Sequence, residues 1–256
     1  MFPVLFGKEV LESWRSYRSL VLVIVLVAFG ILSPAAARFA PELIKLAAGD
    51  QADVGALLAL MPAPTKLDSV DQYLKNLTQM GILVMILMTM GLVAREKETG
   101  TAALVLARPV SRTAFLLAKF SVLAGMLTVA LGAAGLTCFL YTRLLFGEWL
   151  NAAMFAAVNG LMWLYLLIPS ALTFLASSLM RSGVAAAGLG LGAWAAVGLL
   201  GSIGCLKELA PGRLVSASVE ISRGAAFGAW TAIVTSLGLI LLCLSVAAVA
   251  FARQEL

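Results

Sequence analysis

Histidine is absent from this chain, and its three cysteines, Cys138, Cys205 and Cys243, stand far apart. No zinc-type ligand spacing and no thiol nucleophile paired with its base can be built from that inventory. The cysteines read instead as small hydrophobes. The GxxxxGK[ST] phosphate loop is also missing, which excludes ATP hydrolysis by that route. Charge is scarce: 12% of the 256 residues are Asp, Glu, Lys or Arg, while 62% are hydrophobic. Soluble domains carry roughly 25% and 45–50%. With a mean hydropathy of +1.02, the chain reads as an integral membrane protein. Its net charge of +5 does not imply nucleic acid, because no segment forms a basic face on a soluble domain.

What is present in quantity is uncharged sequence, delimited by single charges. Arg18 and Arg38 enclose 19 residues, Lys75 and Arg95 enclose 19, and Lys119 and Arg143 enclose 23. Glu148 and Arg181 enclose 32, Arg181 and Lys207 enclose 25, and Arg223 and Arg253 enclose 29. A spanning helix needs about 17–25. The pattern predicts an all-α membrane protein, a single transmembrane domain over 1–256 with spans at about 19–37, 76–94, 120–142, 151–180, 182–204 and 229–252. Outer segments fall at 38–75 and 205–228. With an even number of spans and the N-terminus inside, the inner pieces hold ten Lys/Arg against five acids. The outer pieces hold eight of each, half of those basic residues lying in one long loop, so both termini are expected in the cytoplasm of a plasma or inner membrane protein.

Ahead of the first span, residues 2–18 form an amphipathic helix of the kind that lies in the membrane interface. Phe2, Phe6, Val10, Trp14 and Tyr17 recur on one side, with Lys8, Glu9, Glu12, Arg15 and Ser16 opposite. A cleaved signal peptide fits less well, because this leading segment is long and holds two glutamates. In the first outer segment, Ser69 and Gln72 have the S-x-x-Q form of a capping box that starts a helix leading into span two. Span two is rich in methionine (Met80, Met85, Met88, Met90). Thioethers bind Cu(I), but without a nearby cysteine or histidine these read as adaptable packing. Pro169 is expected to kink span four or divide it from a preceding turn. Gly188 and Gly192 in span five have GxxxG spacing, which permits close helix approach. Residues 205–228, broken at Pro211-Gly212, read as short helices dipping into the outer leaflet or as a surface loop.

The predicted spans contain no Asp, Glu, Lys, Arg or His. That argues against proton-coupled transport and against intramembrane hydrolysis, and suggests a largely apolar path for an amphipathic or lipid-like cargo. Sodium coupling through backbone carbonyls stays open. Serines such as Ser170, Ser177 and Ser178 have no base to activate them and read as interhelical hydrogen-bonding groups.

The loop from Arg95 to Lys119 is unlike a simple turn. It holds five basic residues and two acids around Leu104, Val105 and Leu106, too few apolar residues to span and too many for a solvated linker. Arg95-Glu96-Lys97-Glu98-Thr99-Gly100-Thr101, followed by Leu104, Leu106, Pro109, Ser111-Arg112 and Lys119, resembles the loop between the second and third spans of ABC-2 type transporter permeases. The resemblance implies a cytoplasmic coupling helix at Thr101 to Ala107 that presents Leu104 and Leu106 to a separate ATPase. Glu98, Gly100, Arg108, Pro109, Ser111 and Arg112 would fix its ends, Glu98 and Arg112 paired with each other or with ATPase charges. Residues 2–18, carrying Phe6, Val10 and Trp14, would be the connecting helix, and 205–228 the re-entrant segment. Two ATPase copies, binding the ATP and Mg, and a second permease copy, identical or related, are implied as partners beside membrane lipids. This chain is then no enzyme and holds no cofactor. Two other functions fit the same sequence: a carrier or channel working without ATP, and an ABC-linked assembly or signalling subunit. Independently of the family, proline disfavours helical geometry at Arg108, and Ser111 is placed to cap span three.

Overall fold

A chain this apolar can satisfy its backbone inside a bilayer only through helices or a closed barrel. The computed structural model, which describes residues 2–48, 63–101, 111–204 and 206–254, is helical in every regular element. In order these are α1 (Phe2–Arg15), α2 (Arg18–Ala48), α3 (Lys66–Asn76), a π-helical turn (Leu77–Gly81), α4 (Ile82–Thr89) and α5 (Ala94–Glu98). They continue as α6 (Arg112–Phe146), α7 (Ala152–Leu179), α8 (Gly183–Gly201), α9 (Gly212–Ser222) and α10 (Trp230–Ala252). Among the described residues six helices are long and apolar enough to cross a membrane: α2, the run from α3 to α5, α6, α7, α8 and α10.

The helices outrun the uncharged stretches that announce them. At 31 residues α2 is about 46 Å long, against about 30 Å of hydrocarbon. It passes Ala37 and Arg38 and continues to Ala48, so what reads as outer loop begins as helix. Likewise α6 starts at Arg112, eight residues before the first uncharged position. A charge marks where the apolar layer ends; it does not break a helix. The helix leading into span two begins at Lys66, capped by Thr65, not at Ser69. Asp68 accepts from the Thr65 amide at 2.6 Å and its hydroxyl at 2.9 Å. Ser69, one turn in, is buried against Thr142 at 2.9 Å.

The axis of the bundle is α7. Residues 164–174 are buried without interruption, which requires neighbours on every side, and α4, α6, α8, α9 and α10 supply them. Pro169 lies in the middle of this helix without dividing it. Close approaches rely on glycine. A Cβ on Gly30 of α2 would collide with the backbone of Ala134 on α6, and one on Gly190 of α8 with Thr173 of α7. The Gly188/Gly192 pair meets nothing within 4 Å and faces outward, so the tight contact of α8 is made by Gly190 and Ala186 instead. The end of the bundle away from the termini is held by polar contacts: Asn76 to Ser33 at 2.8 Å, Tyr73 to Asn159 at 3.0 Å, and Lys66 to Glu148 at 2.7 Å. There α9 is the one helix among the described residues of 205–228, with Arg213 gripping Glu220 through two bonds of 2.8 and 3.0 Å.

Gly190→Leu should therefore destabilise the bundle by about 1–3 kcal/mol through overpacking, seen as a lower melting temperature in detergent. Gly192→Leu, on the open face, should leave the melting temperature near that of the parent.

Candidate coupling site

Lys119 is a lone cation in the apolar run Phe115–Phe120, and α6 carries it to a position only 2% exposed. A buried ammonium is tolerated only when anions and hydrogen bonds replace its water. Its Nζ donates to Glu9 of α1 at 2.9 Å and Glu96 of α5 at 2.6 Å, and stands 5.0 Å from the centre of the Phe115 ring. Lys8 closes the network from outside, 3.3 Å from Glu9, 3.2 Å from Glu12 and 3.7 Å from Glu96. One carboxylate oxygen from each of Glu9, Glu12 and Glu96 lies within 4.8 Å of the others, but Lys8 and Lys119 pair with them, and the cluster is an ion-pair network. Burial pushes the Glu12 carboxyl up, yet Lys119, Lys8 and Arg18 together hold it below its ordinary value of 4.5.

This geometry revises two sequence readings. Glu9 is not on a solvated face: with Leu5 it points inward, at 5% and 7% exposure, while Phe6, Val10 and Trp14 are the exposed apolar side. The spanning helices, taken at their full length, do carry ionisable groups, Lys119 and Glu96 among them. The available signal was Lys119 itself, a lysine among large apolar residues with no acid within a helical turn.

Between α4 and α5 the chain leaves helical geometry at Met90–Val93, and one hydroxyl stitches the gap. Ser177 Oγ, at the end of α7, donates to the Met90 carbonyl at 2.8 Å and accepts from the amides of Val93 and Ala94 at 3.2 and 3.0 Å. Lys97, a turn further on, donates to the Ser178 carbonyl at 2.7 Å and to Gln254 at 3.0 Å. Glu98 is exposed, and Gly100 takes φ +72°, the left-handed conformation that glycine accommodates at a helix end. Thr99 and Thr101 share a hydroxyl contact of 2.9 Å. Leu104, Leu106, Arg108 and Pro109, and with them most of the expected coupling helix, lie outside the described residues.

The chain re-enters at Ser111, which caps α6 by accepting from the Ala114 amide at 3.2 Å. Arg112 is not paired with Glu98. Its Nη1 donates to the carbonyls of Phe251, Ala252 and Gln254 at 3.0, 3.0 and 2.8 Å, where a cation meets the negative end of α10. Phe115 stacks on Phe251 beside it, ring centres 5.8 Å apart. Both flanks of 102–110 are thus fastened, the first to α1, α6 and α7, the second to α10.

Lys119→Met, leaving two buried carboxylates, should cost about 3–5 kcal/mol, whereas Glu9→Gln, Glu96→Gln and Lys119→Met combined should recover most of that melting temperature. Ser177→Ala strands two buried amides and should cost about 1–3 kcal/mol. Because Glu12 is depressed, its contribution to holding α1 is present above pH 4.5 and lost as pH falls through the lowered value. Hydrogen exchange across residues 2–15 should rise only there.

The family model described as ABC-2 family transporter protein matches residues 4–211, which takes in α1, the fastened loop and everything as far as α9. A protein of Bacillus subtilis (strain 168), described as the uncharacterized transmembrane protein YxlG, is 31% identical over 197 residues, covering 75% of this chain and 73% of its own. A six-span helical bundle, an inward-packed N-terminal helix and a family match over most of the length agree with the resemblance carried by Arg95–Lys119, and the chain belongs to the ABC-2 transporter family as one of its membrane-spanning proteins.

Proposed function

We propose that this chain is the permease subunit of an ATP-driven exporter, moved by a separate ATPase that docks on residues 101–107. The observation that carries the reading is the anchoring of both flanks of that segment. A docking element transmits force only if its ends are held. Lys119 holds Glu96 on one side, and Arg112 holds the end of α10 on the other. In this reading the end with the termini is cytoplasmic. ATP and Mg bind to two ATPase copies, and a second permease, identical or related, completes the pore. Leu104 and Leu106 fill an apolar groove on the ATPase, flanked by Glu98, Arg108 and Arg112. The chain itself binds neither nucleotide nor metal. Among the described residues the buried charges, Glu9, Glu96 and Lys119, gather in that one network and do not continue through the spans, which favours external power over an ion gradient.

Co-expression with the ABC ATPase from a neighbouring gene tests this. The tagged permease should retain the ATPase through gentle solubilisation, and Leu104→Glu should reduce its recovery or the transport-coupled ATPase rate at least tenfold, with an unchanged permease elution profile. Transport by the chain alone in liposomes, driven by an ion gradient and indifferent to ATP, would sink the proposal. ATP hydrolysis by the intact complex without any solute flux would point to an assembly or signalling role.

A further inference from the structure

A cavity of about 580 Å³ opens between α1, the break at Met90–Val93 and α5, beside the Lys119 network. Its charges are unevenly used. Lys119 and Lys8 are spent on Glu9, Glu12 and Glu96. Arg18 and Arg95 line the same cavity; Arg18 acts on Glu12 only through its charge, and among the described residues neither guanidinium makes a hydrogen bond or close ion pair. They approach each other across Gly91: a Cβ placed there would lie 3.7 Å from Arg18 Nη2 and 3.8 Å from Arg95 Cβ. The absent side chain leaves the floor between them open. The Ser13 hydroxyl on the facing wall makes no hydrogen bond as donor among the described residues.

Two arginines lining one open cavity place like charges together and favour an anion between them, and the planar fork of arginine matches phosphate oxygens. Depth in the membrane narrows the choice. Trp14 and Tyr17, 76% and 69% exposed, immediately precede Arg18, and such aromatic residues settle at headgroup level. Tyr17 keeps φ +58°, a conformation unusual for a bulky residue, and its exposed ring lies in sequence between the cavity-lining Ser16 and Arg18.

We propose that this cavity binds a phosphate group, that of a membrane-lipid headgroup, with Arg18 and Arg95 gripping the phosphate and the Ser13 hydroxyl donating to it. The glutamates do not oppose this, because the cavity is lined by four cations, Lys8, Arg18, Arg95 and Lys119, against the three acids Glu9, Glu12 and Glu96, which leaves a positive charge for the phosphate. The site depends on α1 lying at the membrane surface and is independent of ATPase docking.

Native mass spectrometry of the full chain, delipidated in detergent and given phosphatidylglycerol, tests it. The parent protein should retain bound lipid, and Arg18→Gln/Arg95→Gln should retain at least fivefold less. Lys75→Gln, changing a charge at the opposite end, should behave as the parent. Gly91→Leu fills the floor without touching either arginine and should lose lipid as the double variant does, so the test survives if the double variant elutes as aggregate. Millimolar inorganic phosphate distinguishes the source. Failure to displace the lipid identifies the headgroup as the ligand; displacement identifies a free phosphate compound using the same grip. Retention of lipid at the parent's level in both the double variant and Gly91→Leu overturns the proposal.

Discussion

An ammonium group buried at the end of a helical bundle has to be met by anions from somewhere, and Lys119 meets them on two different elements. Glu9 comes from α1, which precedes the first span, and Glu96 from α5, which is barely more than one turn of helix. The positions of the N-terminal helix and of the loop leading to residue 101 are fixed by the same charge. A motion imposed on one is felt by the other through bonds of 2.9 and 2.6 Å.

The two flanks of the loop are anchored by different physics. On the α5 side the restraints are the buried ion pair and the Ser177 hydroxyl, short-ranged and directional. On the α6 side Arg112 gathers three carbonyls at the end of α10, a contact that bends with the helix terminus it holds. Force entering between them reaches α6 and α7 by the first route and α10 by the second, so the first and last parts of the fold share one input.

The spans were legible because long uncharged runs leave few alternatives in a membrane, and their ends were not, because Arg38 and Lys66 mark the border of the apolar layer and leave the helix uninterrupted. The cap at Ser111 was readable since its partner lies three residues away. The roles of Lys119 and Arg112 were hidden by separation: Glu9 is 110 residues from Lys119, and the carbonyls held by Arg112 are 139 to 142 residues away. A helical wheel sorts α1 into apolar and polar sides, and it assigns Glu9 to water because it cannot see the lysine opposite. Spacing alone likewise favoured Gly188/Gly192, while the contact with Thr173 selects Gly190.

The complete enclosure of α7 has a consequence for how the protein is made. Its surround includes α8, α9 and α10, all of which are synthesised after it. When α7 leaves the ribosome, Ser177 can already bond Met90 and Ala94, but Thr173, which packs on Gly190 of α8, has only lipid to meet. The N-terminal half can assemble around one side of α7, but the bundle closes only when α10 arrives and Arg112 finds its carbonyls. Biogenesis thus ends on the contact between Arg112 and α10, and a chain stalled before its last span would leave the α6 flank of residues 102–110 unfastened.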